Sequence, residues 1–128
     1  MNINLNLNDK VILIAEDYEV NYLYIKAVLE DTGAQILWAK DGAEAVEMCS
    51  NNNKIDLVLM DIQMPRLNGY EATRQIKKFR NNLPIIAQTA YAMEYDREKS
   101  LNAGCDDYIS KPIRIDTLLE AINNQLIC

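Results

Sequence analysis

Apolar positions along this chain alternate between two rhythms. Short aliphatic and β-branched runs, such as Val11-Ile12-Leu13-Ile14-Ala15 and Leu57-Val58-Leu59-Met60, give way to longer stretches where apolar residues return every three or four positions. The first rhythm predicts strands over 10–16, 35–39, 55–60, 84–89 and 106–110. The second predicts helices over 19–31, 42–50, 69–80, 93–103 and 115–126. The last helix is the most regular, with Ile115, Leu118, Leu119, Ile122 and Leu126 on one face. Gly33 follows the first helix, Gly104 C-caps the fourth, and Gly69 serves the start of the third. Five strands alternating with five helices predict an α/β chain of (βα)5 type, because right-handed crossovers fold it into a parallel sheet covered on both faces. The run 57–60 is apolar at every position, as such a doubly covered strand requires. Residues 1–9 alternate Asn with Ile or Leu and predict a flexible N-terminal extension or linker, which leaves one domain over 10–127.

Composition narrows the function classes. A net charge of −6 disfavours a general nucleic-acid binder. Lys77, Lys78 and Arg80 form only a short basic cluster, expected to complement a helix C-terminus. Cys49, Cys105 and Cys128 are an odd number with no close pair, and no signal peptide or membrane-spanning stretch is evident. The expectation is a reducing, cytoplasmic setting, no membrane contact by this domain, and Cys49 and Cys105 as packing residues. Histidine is absent, which removes histidine acid–base chemistry, most zinc sites and Ser-His or Cys-His nucleophile pairs.

The strand ends carry the candidate chemistry. The first strand delivers Glu16 and Asp17, the third Asp61, the fourth Thr89 and the fifth Lys111. In an open parallel α/β sheet, ligands bind outside the carboxyl ends of the strands. Three crowded carboxylates raise one another's pKa unless a cation neutralises them, and an oxygen-only donor set suits a hard ion such as Mg2+. Taken singly, each feature has a plainer reading: Glu16-Asp17 as a solvated or capping pair, Thr89 as a strand-end residue, Lys111 as a surface cation. Asp106-Asp107 reads as a turn before the last strand. The joint arrival of a hydroxyl, an amine and three acids at successive strand ends favours a site, with Thr89 left accessible by small Ala90. A cation, a hydroxyl and a metal around one carboxylate would stabilise movement of a phosphoryl group onto it.

The residues Glu16-Asp17, Met60-Asp61-Ile62-Gln63-Met64-Pro65 with Asn68-Gly69, Thr89-Ala90 and Lys111-Pro112 resemble, in this order, the receiver domains of two-component response regulators over 10–127. That resemblance implies a flavodoxin-like receiver fold with strand order 2-1-3-4-5. It implies Asp61 as the phosphoacceptor, taking its phosphate from a phosphohistidine on a sensor histidine kinase or histidine phosphotransfer domain. It further implies Mg2+ held by Asp17, Asp61, Glu16 (mostly through water) and the Gln63 main-chain carbonyl. Thr89 and Lys111 would meet the phosphoryl group, and Tyr108 would switch inward with Thr89. A cis Lys111–Pro112 peptide is implied too. Gln63 and Tyr91 would flank the route of hydrolytic water and lengthen the phosphorylated state. The output surface, and a homodimer contact, would lie on the fourth helix, fifth strand and fifth helix.

Glu16-Asp17-Tyr18-Glu19-Val20-Asn21, Ile62-Gln63-Met64-Pro65 and Gly69-Tyr70-Glu71-Ala72 resemble receivers joined to hybrid sensor histidine kinases more than free-standing single-domain regulators. Tyr18 and Asn68 depart from the commoner residues of the family. Three rivals are weaker. A haloacid-dehalogenase-like phosphatase needs an Asp where Gln63 stands. A flavodoxin-like cofactor binder would not place Glu16-Asp17-Tyr18 against a phosphate. A phosphorylation-independent interaction domain would have lost one of the acidic, threonine or lysine positions.

Overall fold

The computed structural model describes residues 5–90 and 94–127, with the side chains of all of these except 94–96. Its elements run β1 (Val11–Ala15), α1 (Glu19–Glu30), β2 (Gln35–Ala39), α2 (Gly42–Asn51), β3 (Leu57–Asp61), α3 (Gly69–Phe79), β4 (Ile85–Thr89), α4 (Glu94–Ala103), β5 (Asp107–Ser110) and α5 (Ile115–Leu126). All strand pairs are parallel, in the order β2-β1-β3-β4-β5.

Side chains alternate across a strand, so each central strand feeds two cores. Leu13, Val58, Met60, Ile85 and Ala87 face α2, α3 and α4, meeting Ala45, Cys49, Ala72, Ile76 and Ala103. Ile12, Ile14, Leu57, Leu59 and Ile86 face the other way, onto Tyr22, Ile25 and Leu29 of α1 and Leu118, Leu119 and Ile122 of α5. All five residues of β3 and of β4 are buried, which explains the apolar runs Leu57–Met60 and Ile85–Ala87 that precede their polar ends.

Local chemistry sets the element ends. Asp41 and Asn68 accept the Glu44 and Glu71 amides (2.8 and 3.0 Å) and cap α2 and α3. Gly104 (φ 108°) ends α4: its amide reaches Leu101 O and that of Cys105 reaches Ser100 O, both at 3.0 Å. This is the paired closure of a Schellman C-cap, which needs the left-handed backbone that glycine supplies.

Lys77 and Lys78 lie in the last turn of α3, as expected for cations at a helix C-terminus, and Lys77 and Arg80 also hold main-chain carbonyls of neighbouring loops. Lys77 Nζ donates to Asn81 O, Leu83 O and Asp106 Oδ2 (3.3, 2.7 and 2.8 Å). Arg80 reaches Asn52, Asn53 and Ile55 carbonyls. Asp106 also accepts the Ile85 amide, far from the acidic cluster described below. Cys49 and Cys105 are buried, and burial pushes both thiols up to about 11, so both serve packing. Cys128 lies outside the described residues.

One boundary differs from expectation. Leu7 is fully buried in the α1/α5 core, and its amide donates to Thr32 O at 2.8 Å. The packed unit therefore reaches back to Leu7, where a flexible linker through residue 9 was expected. Burying two leucines outweighs the polarity of Asn6 between them, since Leu5 packs on the same core. Residues 1–4 of that segment lie outside the described residues.

Candidate functional site at the carboxyl edge of the sheet

β1 and β3 are neighbours at the centre of the sheet, so their C-terminal ends deliver carboxylates side by side. Asp61 closes β3, and Glu16 and Asp17 follow β1. Carboxylate oxygens of the three lie within 4.8 Å of one another. Asp61 stands at the end of its strand, as the sequence predicts, and is only 3% exposed. Pairing with β4 continues one residue further, through Ile62 N–H to Gln88 O (3.1 Å), and the first turn of α3 folds back over the strand end. Gly69 sits so close there that a Cβ would collide with the Asp61 carbonyl oxygen. Glu16 is fully buried too, and only Asp17 of the three faces solvent.

Glu16 is held at several points. Its amide donates to Ala39 O (3.0 Å), its carbonyl accepts the Trp38 indole Nε1–H (2.8 Å), and Oε2 accepts the Tyr18 amide (3.2 Å). Oε1 is buried without a hydrogen-bond partner, with Lys111 Nζ standing 3.5 Å away. Burial, then the neighbouring Asp61 carboxyl, raise the Glu16 carboxyl to about 7, while Lys111 and the Tyr18 amide pull it down.

Lys111 extends from the end of β5, where its amide bonds Thr89 O at 2.8 Å and its peptide to Pro112 is cis, as the resemblance implied. The ammonium stands 3.2 Å from Asp61 Oδ1, the same oxygen that accepts the Gln63 amide at 3.2 Å. Thr89 closes β4 and is 3% exposed, more enclosed than small Ala90 led us to expect. It lines a cleft of about 600 Å3 together with Asp17, Gln63, Asn68, Tyr70 and Lys99. Tyr108, on β5 opposite Ala87, is half-buried against the α2–α4 core. Tyr91 lies outside the described residues.

The donor set suits a hard divalent cation. All three side chains offer oxygen, one buried oxygen lacks a hydrogen bond, and even with Glu16 protonated two carboxylates face one ammonium.

The profile of the response regulator receiver domain matches residues 12–123. The chain belongs to that family. This receiver domain is 46% identical over 123 residues to hybrid signal transduction histidine kinase I of Dictyostelium discoideum, a match covering 90% of the chain but 7% of the kinase. It is 36% identical over 119 residues to the polar-differentiation response regulator DivK of Brucella ovis, covering 91% of the chain and 96% of DivK. Among solved structures, the receiver domain of a Pseudomonas aeruginosa sensor histidine kinase, with a magnesium ion in its active-site cleft, superposes with TM-score 0.84 at 37% identity. That match covers 91% of this chain and 96% of the other. The receiver domain of the Saccharomyces cerevisiae response regulator Ssk1, in a co-crystal with the histidine phosphotransfer protein Ypd1, superposes with TM-score 0.87 at 30% identity, covering 93% and 90%.

The receiver fold thus gathers Glu16, Asp17, Asp61, Gln63, Thr89 and Lys111 at one sheet edge, as the motifs implied. Sequence reasoning gave no site role to three residues, of which it named only Asn68, within a motif. Asn68 caps α3 beside the cleft, and the spacing Asn68-x-x-Glu71 was a readable cue. Lys99 stands over the Tyr70 ring, 4.8 Å from its centroid, at the cleft wall. Trp38 lies 22 residues from the Glu16 carbonyl it binds, and no local pattern announces such a contact.

Proposed function

We propose that Asp61 accepts a phosphoryl group from a phosphohistidine on a sensor histidine kinase or histidine phosphotransfer domain. The observation that carries this reading is Lys111 Nζ poised 3.2 Å from Asp61 Oδ1 and 3.5 Å from Glu16 Oε1, beside Thr89. In the transfer, an Asp61 oxygen forms the new bond to phosphorus while the bond from phosphorus to the donor imidazole nitrogen breaks, and the imidazole keeps that electron pair. Lys111 meets the charge on the phosphoryl oxygens, and the Thr89 hydroxyl donates to one of them. Glu16, Asp17, Asp61 and the Gln63 main-chain carbonyl would hold Mg2+, which supplies further charge neutralisation for the transferring group. The ion bound by the Pseudomonas relative supports that assignment.

The domain's chemistry is confined to its own phosphorylation and dephosphorylation. Thr89, drawn toward the phosphoryl group, frees space that Tyr108 fills. A coupling of about 1–3 kcal/mol between this movement and partner binding suffices for a switch. The phosphodonor docks on α1, where Val20, Leu23 and Tyr24 are exposed and the Tyr24 hydroxyl donates to the Ile113 carbonyl at 3.2 Å. A groove of about 600 Å3 runs from there past Asn21 and Pro112 to Lys111. The 46% identity to a hybrid kinase favours a receiver carried on such a protein.

Acetyl phosphate with Mg2+ tests the reading. We expect a hydroxylamine-sensitive phosphate on the wild type and none on Asp61→Ala. Equal labelling of both, or none on the wild type, defeats it.

A further inference from the structure

We propose that Trp38 is a positioning residue for the Mg2+ site, its indole N–H holding the peptide that joins Glu16 to Asp17. The inference rests on the reading of Glu16, Asp17 and Asp61 as the metal ligands. The backbone ladder between β1 and β2 ends with Ala15 opposite Ala39. One residue further, the Glu16 amide still finds Ala39 O at 3.0 Å, but its carbonyl takes a side-chain donor, Trp38 Nε1 at 2.8 Å. That bond fixes the plane of the Glu16–Asp17 peptide where the chain leaves the sheet.

Glu16 has other restraints: its side chain is enclosed, and Oε2 accepts the Tyr18 amide. Asp17 faces solvent, and its direction depends on the main chain that carries it. α1 begins only at Glu19, and Tyr18 at its N-cap position makes no side-chain capping bond. The indole is therefore a principal anchor for this turn.

The indole is itself immobilised. Its ring stacks on Tyr22 of α1 with centroids 4.1 Å apart and planes 6° from parallel, and Lys40 stands 5.0 Å from its centroid. Offset aromatic stacking and a cation near a ring face each favour one orientation. A rigid donor orients a ligand-bearing peptide at little entropic cost, as outer partners of metal ligands generally do.

Two substitutions separate positioning from packing. Trp38→Phe keeps an aromatic ring against Tyr22 and deletes the donor. Tyr22→Phe keeps both the stack and the indole bond. We expect Trp38→Phe to weaken Mg2+ binding about five- to tenfold in calorimetric titration, the loss of one hydrogen bond. Tyr22→Phe should bind as the wild type does. A packing role alone would lower the unfolding midpoint of Trp38→Phe and leave its Mg2+ affinity within twofold of wild type; that result overturns the inference.

The wild type offers a measurement that needs no variant to fold. Its single tryptophan gives one indole N–H resonance, which should exchange slowly with solvent and shift on Mg2+ addition. Exchange as fast as free indole, or no shift, also overturns the proposal. A wild type that binds no Mg2+ overturns the metal site and this role together, whereas normal wild-type binding beside an unaffected Trp38→Phe overturns this role alone.

Discussion

Glu16 is the residue whose chemistry the fold alters most. Its carboxyl is raised to about 7 from an ordinary 4.5, so the folded protein favours the neutral form. Stability contributed by this group is complete below the unfolded value and is lost as pH rises from about 4.5 through 7. The shift corresponds to about 3 kcal/mol. Without Mg2+, Glu16→Gln should gain that much stability relative to wild type between pH 4.5 and pH 8. Urea unfolding in EDTA at both pH values measures it, and a difference that ignores pH would refute the assignment. Sequence could announce three acids near one another, because adjacent positions and matching strand ends are linear information. It could not say which acid would be buried, since burial depends on distant segments such as the first turn of α3 against the Asp61 main chain.

At the scale of elements, the start of α3 carries two residues with separable jobs. Asn68 accepts the Glu71 amide and caps the helix, whereas Gly69 lets the first turn lie against the Asp61 main chain. Asn68→Ala should cost about 1 kcal/mol, a typical capping loss, and leave acetyl phosphate labelling of Asp61 intact. Gly69→Ala forces the helix and strand apart, costs about 1–3 kcal/mol and depresses labelling as well. Denaturant unfolding with a labelling time course distinguishes them; equal labelling in the two variants would refute the close-approach argument. The ten element spans themselves were legible to within one or two residues wherever both ends are described. Their periodicities are strong, and Gly33 and Gly104 punctuate them. Leu5 and Leu7 were misjudged because alternating Asn and Leu looks the same in a linker as in a segment pinned under a helix.

For the molecule as a whole, the order β2-β1-β3-β4-β5 brings Glu16, Asp17, Asp61, Thr89 and Lys111 to one edge although they span nearly a hundred positions. Binding of Mg2+ to a site that only the folded chain assembles must stabilise the fold by mass action. At a free concentration about 100 times its dissociation constant, Mg2+ should add about 2.7 kcal/mol. Asp17→Asn should lose most of that gain. A Mg2+ series of unfolding curves checks both, and an equal gain in the variant would remove Asp17 from the ligand set. Among the described residues no helix is long and apolar enough to cross a membrane.

By itself the sequence determined the alternation of elements, the doubly covered central strands and the identity of the groups at the strand ends. Each is encoded in neighbouring residues, where periodicity and backbone preference act. Tertiary structure alone decided the burial of Glu16 and Asp61, the bond from Trp38 to the Glu16 carbonyl, the packing of Leu7 and the approach of Lys111 to Asp61. These depend on distances between segments far apart in the chain, which only the sheet order and the helices packed over it set.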